Sequence, residues 1–180
     1  MRGVILYGPP ASGKDTVTAA LHQLHSQYQQ FRRLKVGRGR TAGYRMSTDA
    51  DLATLRASGG VVWENRRYGS VYVIDAPGLR QQLHRQIPVV HVGQVNAVDA
   101  VRLAFPDVRW TVVALTCPRD VAERRIVERQ TGDSAERLRV WDETETVPTA
   151  DLTIDASTSS PDVAAGLVDQ AVRHSQAAAG

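Results

Sequence analysis

A glycine-bounded loop near the start of the chain limits the fold more than any other segment. Residues 8–16 read Gly-Pro-Pro-Ala-Ser-Gly-Lys-Asp-Thr and directly follow the apolar run at residues 4–7. Four residues separate Gly8 from Gly13, and Lys14 comes next, which is the spacing G-x-x-x-x-G-K of a phosphate-binding loop. In such a loop the backbone N–H groups point into one concavity, and the following helix adds its positive N-terminal end. The pattern predicts a strand, an anion-binding loop and a helix.

Lysine is rare in this chain, which gives Lys14 additional weight. The chain has 22 Lys and Arg residues, and only Lys14 and Lys35 are lysine. A compact ammonium suits a phosphate loop as a point charge. Asp15 stands where Ser or Thr is usual, and Thr16 follows it, so both are candidates for the shell of a Mg²⁺ ion. The alternative, a glycine-rich turn that binds nothing, is disfavoured by the strand and helix patterns on either side.

Strand-like apolar runs alternate with helical patterns along the chain. Strands are predicted at residues 3–7, 34–37, 60–64, 71–74, 88–92, 109–116 and 152–154. Helices are predicted at residues 14–28, 49–57, 77–85, 97–104, 119–130, 135–144 and 161–175, with Thr48 and Ser160 as N-caps. Several strands are uniformly apolar, as strands covered on both faces tend to be. The alternation predicts an α/β fold with a mainly parallel central sheet between helical layers.

Length, charge and cysteine content exclude several classes of protein. A chain of 180 residues is expected to form one domain, residues 1–180. The formal charge of +3 is mild, so an anionic small substrate explains it and no nucleic-acid partner is expected. No apolar stretch approaches the roughly 20 residues of a membrane span, and the first residues already form a strand, so a cytoplasmic protein without membrane association is expected. The single Cys117 excludes an internal disulfide and Cys-based zinc sites.

Two polar clusters lie between the loop and the middle of the chain. The first contains Lys35, Arg38, Arg40 and Arg45. Glycines separate its guanidinium groups, which suits bidentate binding of an oxyanion, and a solvated basic loop is the alternative.

The second cluster contains Glu64, Tyr68 and Ser70. A strand-end carboxylate can accept hydrogen bonds from the N–H groups of a base, and the two hydroxyls can hold a phosphate. Taken alone, this segment also fits an ordinary turn between two strands.

A third cluster combines basic residues with two consecutive helical patterns. The helix predicted at residues 119–130 carries Arg119, Arg124, Arg125 and Arg129, and a Gly-containing turn joins it to the next helix. Arg residues on such a pair can neutralise charge on a transferring phosphoryl group beneath a hinged lid. Some of them are expected to form surface pairs with neighbouring Glu residues instead.

Acidic and histidine residues give weaker signals. Gly93 follows the strand predicted at 88–92, so no Walker B carboxylate is evident there. Asp75 follows another strand and is either a metal ligand or, as we favour, the N-cap of the next helix. The five histidines have no metal-ligand spacing.

The order of these segments resembles the guanylate kinase family of P-loop nucleotide kinases over nearly the whole chain. The resemblance is carried by residues 8–16, Glu64, Tyr68-Gly69-Ser70, residues 97–107 and residues 124–134. It implies a P-loop NTPase three-layer fold with an acceptor-binding insert at about 34–75 and a helical lid at about 119–145. It also implies transfer of the γ-phosphoryl group of ATP, with Mg²⁺, to the phosphate of a small acceptor such as a nucleoside monophosphate.

The resemblance also implies roles for individual residues. The donor phosphates would be bound by Gly8, Pro9, Pro10, Ala11, Ser12, Gly13, Lys14, Asp15 and Thr16, the last two also serving Mg²⁺. The acceptor would be bound by Arg38, Arg40, Arg45, Glu64, Tyr68 and Ser70. The catalytic residues would be Lys14, Arg38, Arg124, Arg125 and Arg129.

Some features depart from the guanylate kinase pattern. The arginine-containing segment at 38–45 is shorter than is usual in that family, and Gly93 stands where an Asp is usual. The Gly-Lys-Asp loop, the Tyr68-Gly69…Ile74-Asp75 spacing and Gly93 resemble ribose 1,5-bisphosphate phosphokinases. That sugar phosphate or another phosphorylated metabolite is therefore an alternative acceptor.

Two other classes of protein are further alternatives. They are a catalytically silent guanylate-kinase-like binding module, which the intact loop disfavours, and a nucleotide hydrolase, which the missing Walker B acid disfavours. A monomer or a homodimer is expected.

Overall fold

Two β-sheets and seven helices make up the described part of the chain, residues 1–39, 41–128, 130 and 132–174 of a computed structural model. The strands are β1 (Arg2–Tyr7), β2 (Tyr28–Gln30), β3 (Leu34–Val36), β4 (Arg45–Met46), β5 (Val61–Arg67), β6 (Ser70–Asp75), β7 (Ile87–Val92), β8 (Arg109–Thr116) and β9 (Leu152–Asp155). The helices are α1 (Lys14–Leu24), α2 (Asp49–Ala57), α3 (Ala76–Leu83), α4 (Val95–Ala104), α5 (Arg119–Glu128), α6 (Ser134–Asp142) and α7 (Pro161–His174).

The central sheet has five parallel strands in the order β2-β7-β1-β8-β9. Its middle strand β1 alternates between two apolar clusters. Ile5 and Tyr7 pack with buried residues of α3 and α4 on one face, whereas Val4 and Leu6 pack with those of α1 and α7 on the other. Burial of both faces accounts for the uniformly apolar strands, because neither side of the sheet meets water. The predicted α/β class with helices on both faces is confirmed.

The second sheet has four strands in the order β4-β3-β6-β5 and lies between β2 and α3 in the chain. Its β3–β6 and β5–β6 pairs are antiparallel, and only β3 and β4 run parallel. Helix α2 covers one face, where Leu52 packs against Val36, Val71 and Val73. The opposite face keeps polar and aromatic side chains, which become part of the cavity described below.

Most predicted elements are present, and their ends have identifiable causes. Helix α2 has the predicted bounds, and it begins at Asp49 because Thr48 and Asp51 form a reciprocal capping box. Ser160 Oγ accepts a hydrogen bond from Val163 N at 3.3 Å, as its predicted cap role requires. Asp75 caps α3 by accepting from Gly78 N at 2.9 Å, which confirms the favoured alternative.

The predicted helix at 14–28 is wrong in its last residues. Helix α1 ends at Leu24, and Tyr28 begins strand β2, which pairs with β7. Tyr28 is buried and its hydroxyl donates to Asp169 of α7, so contacts distant in sequence override the local helical pattern. The sequence also does not predict the two-residue strand β4. None of the helices in the described ranges is long and apolar enough to cross a bilayer.

Candidate active site

The glycine-bounded loop leaves the C-terminal end of β1, between β7 and β8, and runs into α1. Gly8 N donates to Val92 O at 3.2 Å, which holds the loop against the end of β7. A Cβ at Gly8 would lie 2.4 Å from the backbone oxygen of Leu115, so only glycine fits there. Gly13 is the N-cap of α1 and has a left-handed φ of 91°. The sequence thus places an open helix N-terminus at the carboxyl edge of the sheet.

Lys14 folds back over this loop. Its Nζ donates to Gly8 O at 2.6 Å, to Pro9 O at 2.7 Å and to Ser12 Oγ at 3.2 Å. These contacts fix the ammonium at the loop, beside the N-terminus of α1. The loop therefore has one full positive charge in addition to its backbone donors, an arrangement suited to phosphate oxygens.

A cavity of about 800 Å³ opens in front of the loop. It joins residues 10–15 to the second sheet and to α6, and its further lining residues include Phe31, Arg33, Lys35, Arg38, Tyr44, Tyr68, Tyr72, His91, Asp133, Glu136 and Arg137. Among the described lining residues, five carry a Lys or Arg charge and three carry a carboxylate. The cavity is therefore suited to an anionic ligand at both the loop and the second sheet.

The wall formed by the second sheet is built around a buried lysine. Lys35 is 2% exposed, and its Nζ lies 5.6 Å from the ring centroids of both Tyr44 and Tyr72. The same Nζ donates to Arg38 O at 2.6 Å. The Arg33 guanidinium lies 5.5 Å from the Tyr72 ring centroid. Aromatic faces and a backbone carbonyl thus compensate for the partial desolvation of two cations.

Arg38 lies on a loop that two donors hold in place. Ser70 Oγ donates to Arg38 O at 3.2 Å, adding to the bond from Lys35, and Arg38 is one of the residues that line the cavity. Ser70 itself is buried, so its hydroxyl supports the Arg38 backbone in this structure. Arg40 lies outside the described residues.

The turn between β5 and β6 meets α6 at the side of the cavity. Tyr68 has a left-handed φ of 51°, and its N donates to Glu136 Oε1 at 3.3 Å. The Arg137 guanidinium lies 5.2 Å from the Tyr68 ring centroid and donates to Asp133 at 2.6 Å. Burial raises the pKa of Tyr68, so the phenol is neutral at ordinary pH. A phenol, a guanidinium and two carboxylates therefore close this side of the cavity.

Only one of the two described arginines implied for the lid contacts the loop. Arg125 of α5 donates through Nη1 to Ala11 O at 3.2 Å and through Nη2 to Ala156 O at 3.0 Å. Arg124 pairs with Asp120 at 2.9 Å, and its side chain is 65% exposed. Successive helical residues point about 100° apart, which separates the two. Arg129 lies outside the described residues.

Two implied acceptor residues have other partners. Glu64 receives both hydrogen bonds of a bidentate pair with Arg56, at 2.8 and 3.0 Å, and lies outside the cavity lining. Arg45 pairs with Asp75 and stacks 5.2 Å from the Phe31 ring centroid. It lines a separate cavity of about 380 Å³. The structure therefore does not bring Glu64 or Arg45 to the main cavity.

Asp15 lines the cavity beside Lys14, with a side chain that is 55% exposed, whereas Thr16 is exposed and outside the lining. No cluster of three or more potential His, Cys, Asp or Glu ligands occurs among the described residues. A nucleotide-bound Mg²⁺ needs only one or two protein carboxylates, because phosphates and waters supply the other ligands. The Asp15 carboxylate, exposed at the loop, fits that requirement.

The sequence patterns missed several lining residues. Arg137 carried a local signal, since it follows Asp133 by four residues in the helix after the Gly132 turn. Tyr72 and the buried state of Lys35 carried none, because both depend on pairing between β3 and β6. His91 also had no signal, although it aligns with Leu6 in the sheet and lies at the edge that bears the loop.

Comparison with solved structures identifies the fold. No protein-family model and no curated protein matches the sequence. The structure is similar to that of guanylate kinase from Anaplasma phagocytophilum, with a TM-score of 0.59 and 10% identity over 97% of this chain and 85% of that one. It is also similar to that of APE1195, with a TM-score of 0.57 and 13% identity over 95% of this chain and 94% of that one. The chain therefore has a guanylate-kinase-like fold, which confirms the resemblance inferred from its sequence.

Proposed function

We propose that this protein is an ATP-dependent kinase that transfers the γ-phosphoryl group of ATP to the phosphate of a small acceptor, a nucleoside monophosphate in the first instance. The observation that carries the proposal is the shared cavity, which has the Lys14 loop at one end and Arg33, Lys35 and Arg38 at the other. Phosphoryl transfer between two phosphates needs two anion-binding ends in one enclosure, and little covalent chemistry from the protein.

The loop is assigned to the donor. Phosphate oxygens would accept from the backbone N–H groups of the loop and replace the backbone carbonyls that now accept from Lys14. Asp15 would hold Mg²⁺, which on binding neutralises charge on the β- and γ-phosphates. Arg125 would keep the loop in shape through its bond to Ala11 O.

The second sheet is assigned to the acceptor, so residues 34–75 act as the acceptor-binding insert. Arg38 would contact the acceptor phosphate, with the charges of Arg33 and Lys35 nearby. The rings of Tyr44 and Tyr72 offer flat surfaces to a base or a sugar. Helices α5 and α6, within residues 119–145, would act as the lid, and Arg137 would bring a positive charge to the closed cavity.

One observation favours the alternative acceptor, ribose 1,5-bisphosphate or another phosphorylated metabolite. Glu64, the carboxylate that the resemblance assigns to the base, is engaged by Arg56 outside the cavity. The lining instead has an excess of cations, which suits an acceptor with more than one phosphate.

The test is ADP release from ATP and Mg²⁺ with a panel of acceptors: GMP, dGMP, AMP, CMP, UMP, dTMP and ribose 1,5-bisphosphate. We expect one strong responder, and Lys14→Ala should lower turnover by about a hundredfold or more, as loss of a transition-state donor does. Arg102→Ala is the matched control, because Arg102 is exposed in the last turn of α4, at the opposite edge of the sheet.

The other outcomes separate the competing functions. Silence across the panel with tight ATP binding assigns an acceptor outside the panel. Absence of ATP binding contradicts the kinase assignment and favours a silent binding module. ATP hydrolysis at the same rate with and without every acceptor favours a nucleotide hydrolase.

A further inference from the structure

A buried histidine connects β7 to the loop that the proposed function assigns to the donor. His91 Nδ1 lies 3.5 Å from Asp15 Oδ1, and its Nε2 lies 2.7 Å from Thr18 Oγ1. Asp15 and Thr18 are three residues apart on α1, so they lie on one face of the helix. The His91 and Thr18 side chains are buried, whereas Asp15 reaches the cavity. One imidazole therefore spans from an interior hydroxyl to a cavity carboxylate.

The partners of the two ring nitrogens determine which of them carries the hydrogen. A carboxylate beside Nδ1 favours the hydrogen on Nδ1, so Nε2 accepts from the Thr18 hydroxyl. In that tautomer the Gln30 amide, whose Nε2 lies 3.4 Å from Nδ1, has to be turned over so that its oxygen faces the ring.

The residue that follows strand β7 is Gly93 and therefore supplies no carboxylate at the end of this strand. Gly93 follows β7, and a Cβ there would lie 3.4 Å from Gly8 O of the loop. A carboxylate at residue 93 would thus adjoin the loop, and with glycine there, Asp15 is the acid that adjoins Lys14 in sequence among the described lining residues. A carboxylate that is 55% exposed has many rotamers unless a neighbour restrains it.

We propose that His91 is a positioning residue. Thr18 holds the imidazole through Nε2, and the ring directs the Asp15 carboxylate toward the cation that accompanies the donor phosphates. The inference rests on the proposed function, since it requires a nucleotide and a cation at the loop. A residue that hydrogen-bonds to a metal ligand restricts the orientation of that ligand, and its loss costs about 10- to 100-fold in metal affinity. The alternative is that Thr18 merely satisfies a buried histidine and Asp15 merely complements the N-terminus of α1.

The test separates cation affinity from nucleotide affinity. Affinity for ADP is measured by calorimetry in EDTA, and affinity for Mn²⁺ in the ADP complex is measured by electron paramagnetic resonance. His91→Leu should weaken Mn²⁺ binding by about 10- to 100-fold and leave ADP binding in EDTA within about twofold of the parent protein. His91→Asn keeps an N–H donor near the position of Nδ1 and should restore most of the Mn²⁺ affinity.

Thr18→Val provides a second, nearly isosteric variant in case His91→Leu does not fold. It removes the hydroxyl that hydrogen-bonds to His91 Nε2. We expect this change to weaken Mn²⁺ binding by about threefold to tenfold, which is less than the effect of removing the ring. Unchanged Mn²⁺ affinity in every variant that folds overturns the inference. A variant that loses Mn²⁺ affinity and ADP affinity in EDTA by the same factor also overturns the inference, because a purely structural role of His91 would lower both affinities equally.

The parent protein separates the two levels of the argument. If it does not bind ADP under either condition, the proposed function fails and the inference fails with it. If the parent protein binds ADP and Mn²⁺, and none of the variants lowers its Mn²⁺ affinity, only the role of His91 is refuted.

Discussion

Adjacent arginines on α5 provide a test of how this helix supports the loop. Arg125→Ala removes hydrogen bonds of 3.2 and 3.0 Å to the carbonyls of Ala11 and Ala156, whereas Arg124→Ala removes only an exposed pair with Asp120. A bond from a charged donor contributes about 1.5–3 kcal/mol, so two would contribute about 3–6 kcal/mol if fully buried. Because the Arg125 side chain is half-buried, we expect roughly half of that, about 1.5–3 kcal/mol. Arg124→Ala should change the free energy of unfolding by about 0.5 kcal/mol or less.

The assays are urea unfolding and ADP affinity, both measured on the two variants in parallel. Arg125→Ala should weaken ADP binding as well as lower stability, because the Ala11 carbonyl belongs to the loop itself. Arg125→Lys should fall between the parent protein and Arg125→Ala, since one ammonium lacks the fork that reaches both carbonyls. Equal effects of Arg124→Ala and Arg125→Ala on stability would refute this reasoning.

Three further predictions concern single positions. Gly8→Ala should cost about 2 kcal/mol or more in unfolding free energy and abolish nucleotide binding, because the new Cβ would lie 2.4 Å from a backbone oxygen of β8; thermal unfolding and ADP titration measure this, and a parent-like variant refutes the close approach. Glu64→Gln should leave the KM for the acceptor within about twofold and cost under about 1 kcal/mol, since Glu64 pairs with Arg56 outside the cavity; a large rise in KM would restore Glu64 to the acceptor site. Tyr28→Phe should lower the free energy of urea unfolding by about 1 kcal/mol through loss of the bond to Asp169, and no loss would mean that this bond is energetically neutral.

Local sequence signals were sufficient for much of the fold. The apolar strands, the loop and the start of α1 follow from short sequence patterns, and the Thr48–Asp51 capping box determined the start of α2. Strand β2 escaped prediction because its place depends on burial of Tyr28 against β7 and α7. Three residues with two glutamines carry no apolar period of their own.

The candidate site divides in the same way. Lys14 and the loop glycines lie together in sequence, so one motif identified them. Lys35 is a buried cation whose Nζ contacts the rings of Tyr44 and Tyr72, and these tyrosines lie in other segments of the chain. The sequence also did not reveal which ion pairs form between separate segments, since Glu64 of β5 pairs with Arg56 of α2. Residue type alone does not tell which of several competing partners a charge selects.

The helical pair α5–α6 contacts both ends of the cavity, and under the proposed function this would link the binding of the two ligands. Arg125 of α5 bonds to the loop at Ala11, Glu136 of α6 accepts from the backbone of Tyr68 on the second sheet, and Arg119 joins the two helices through Asp142 at 2.8 Å. A ligand that shifts this pair at one end alters the contacts at the other. Such coupling is reciprocal: any factor by which the donor tightens acceptor binding is the factor by which the acceptor tightens donor binding. Under the proposed function, each ligand would favour binding of the other through this pair of helices.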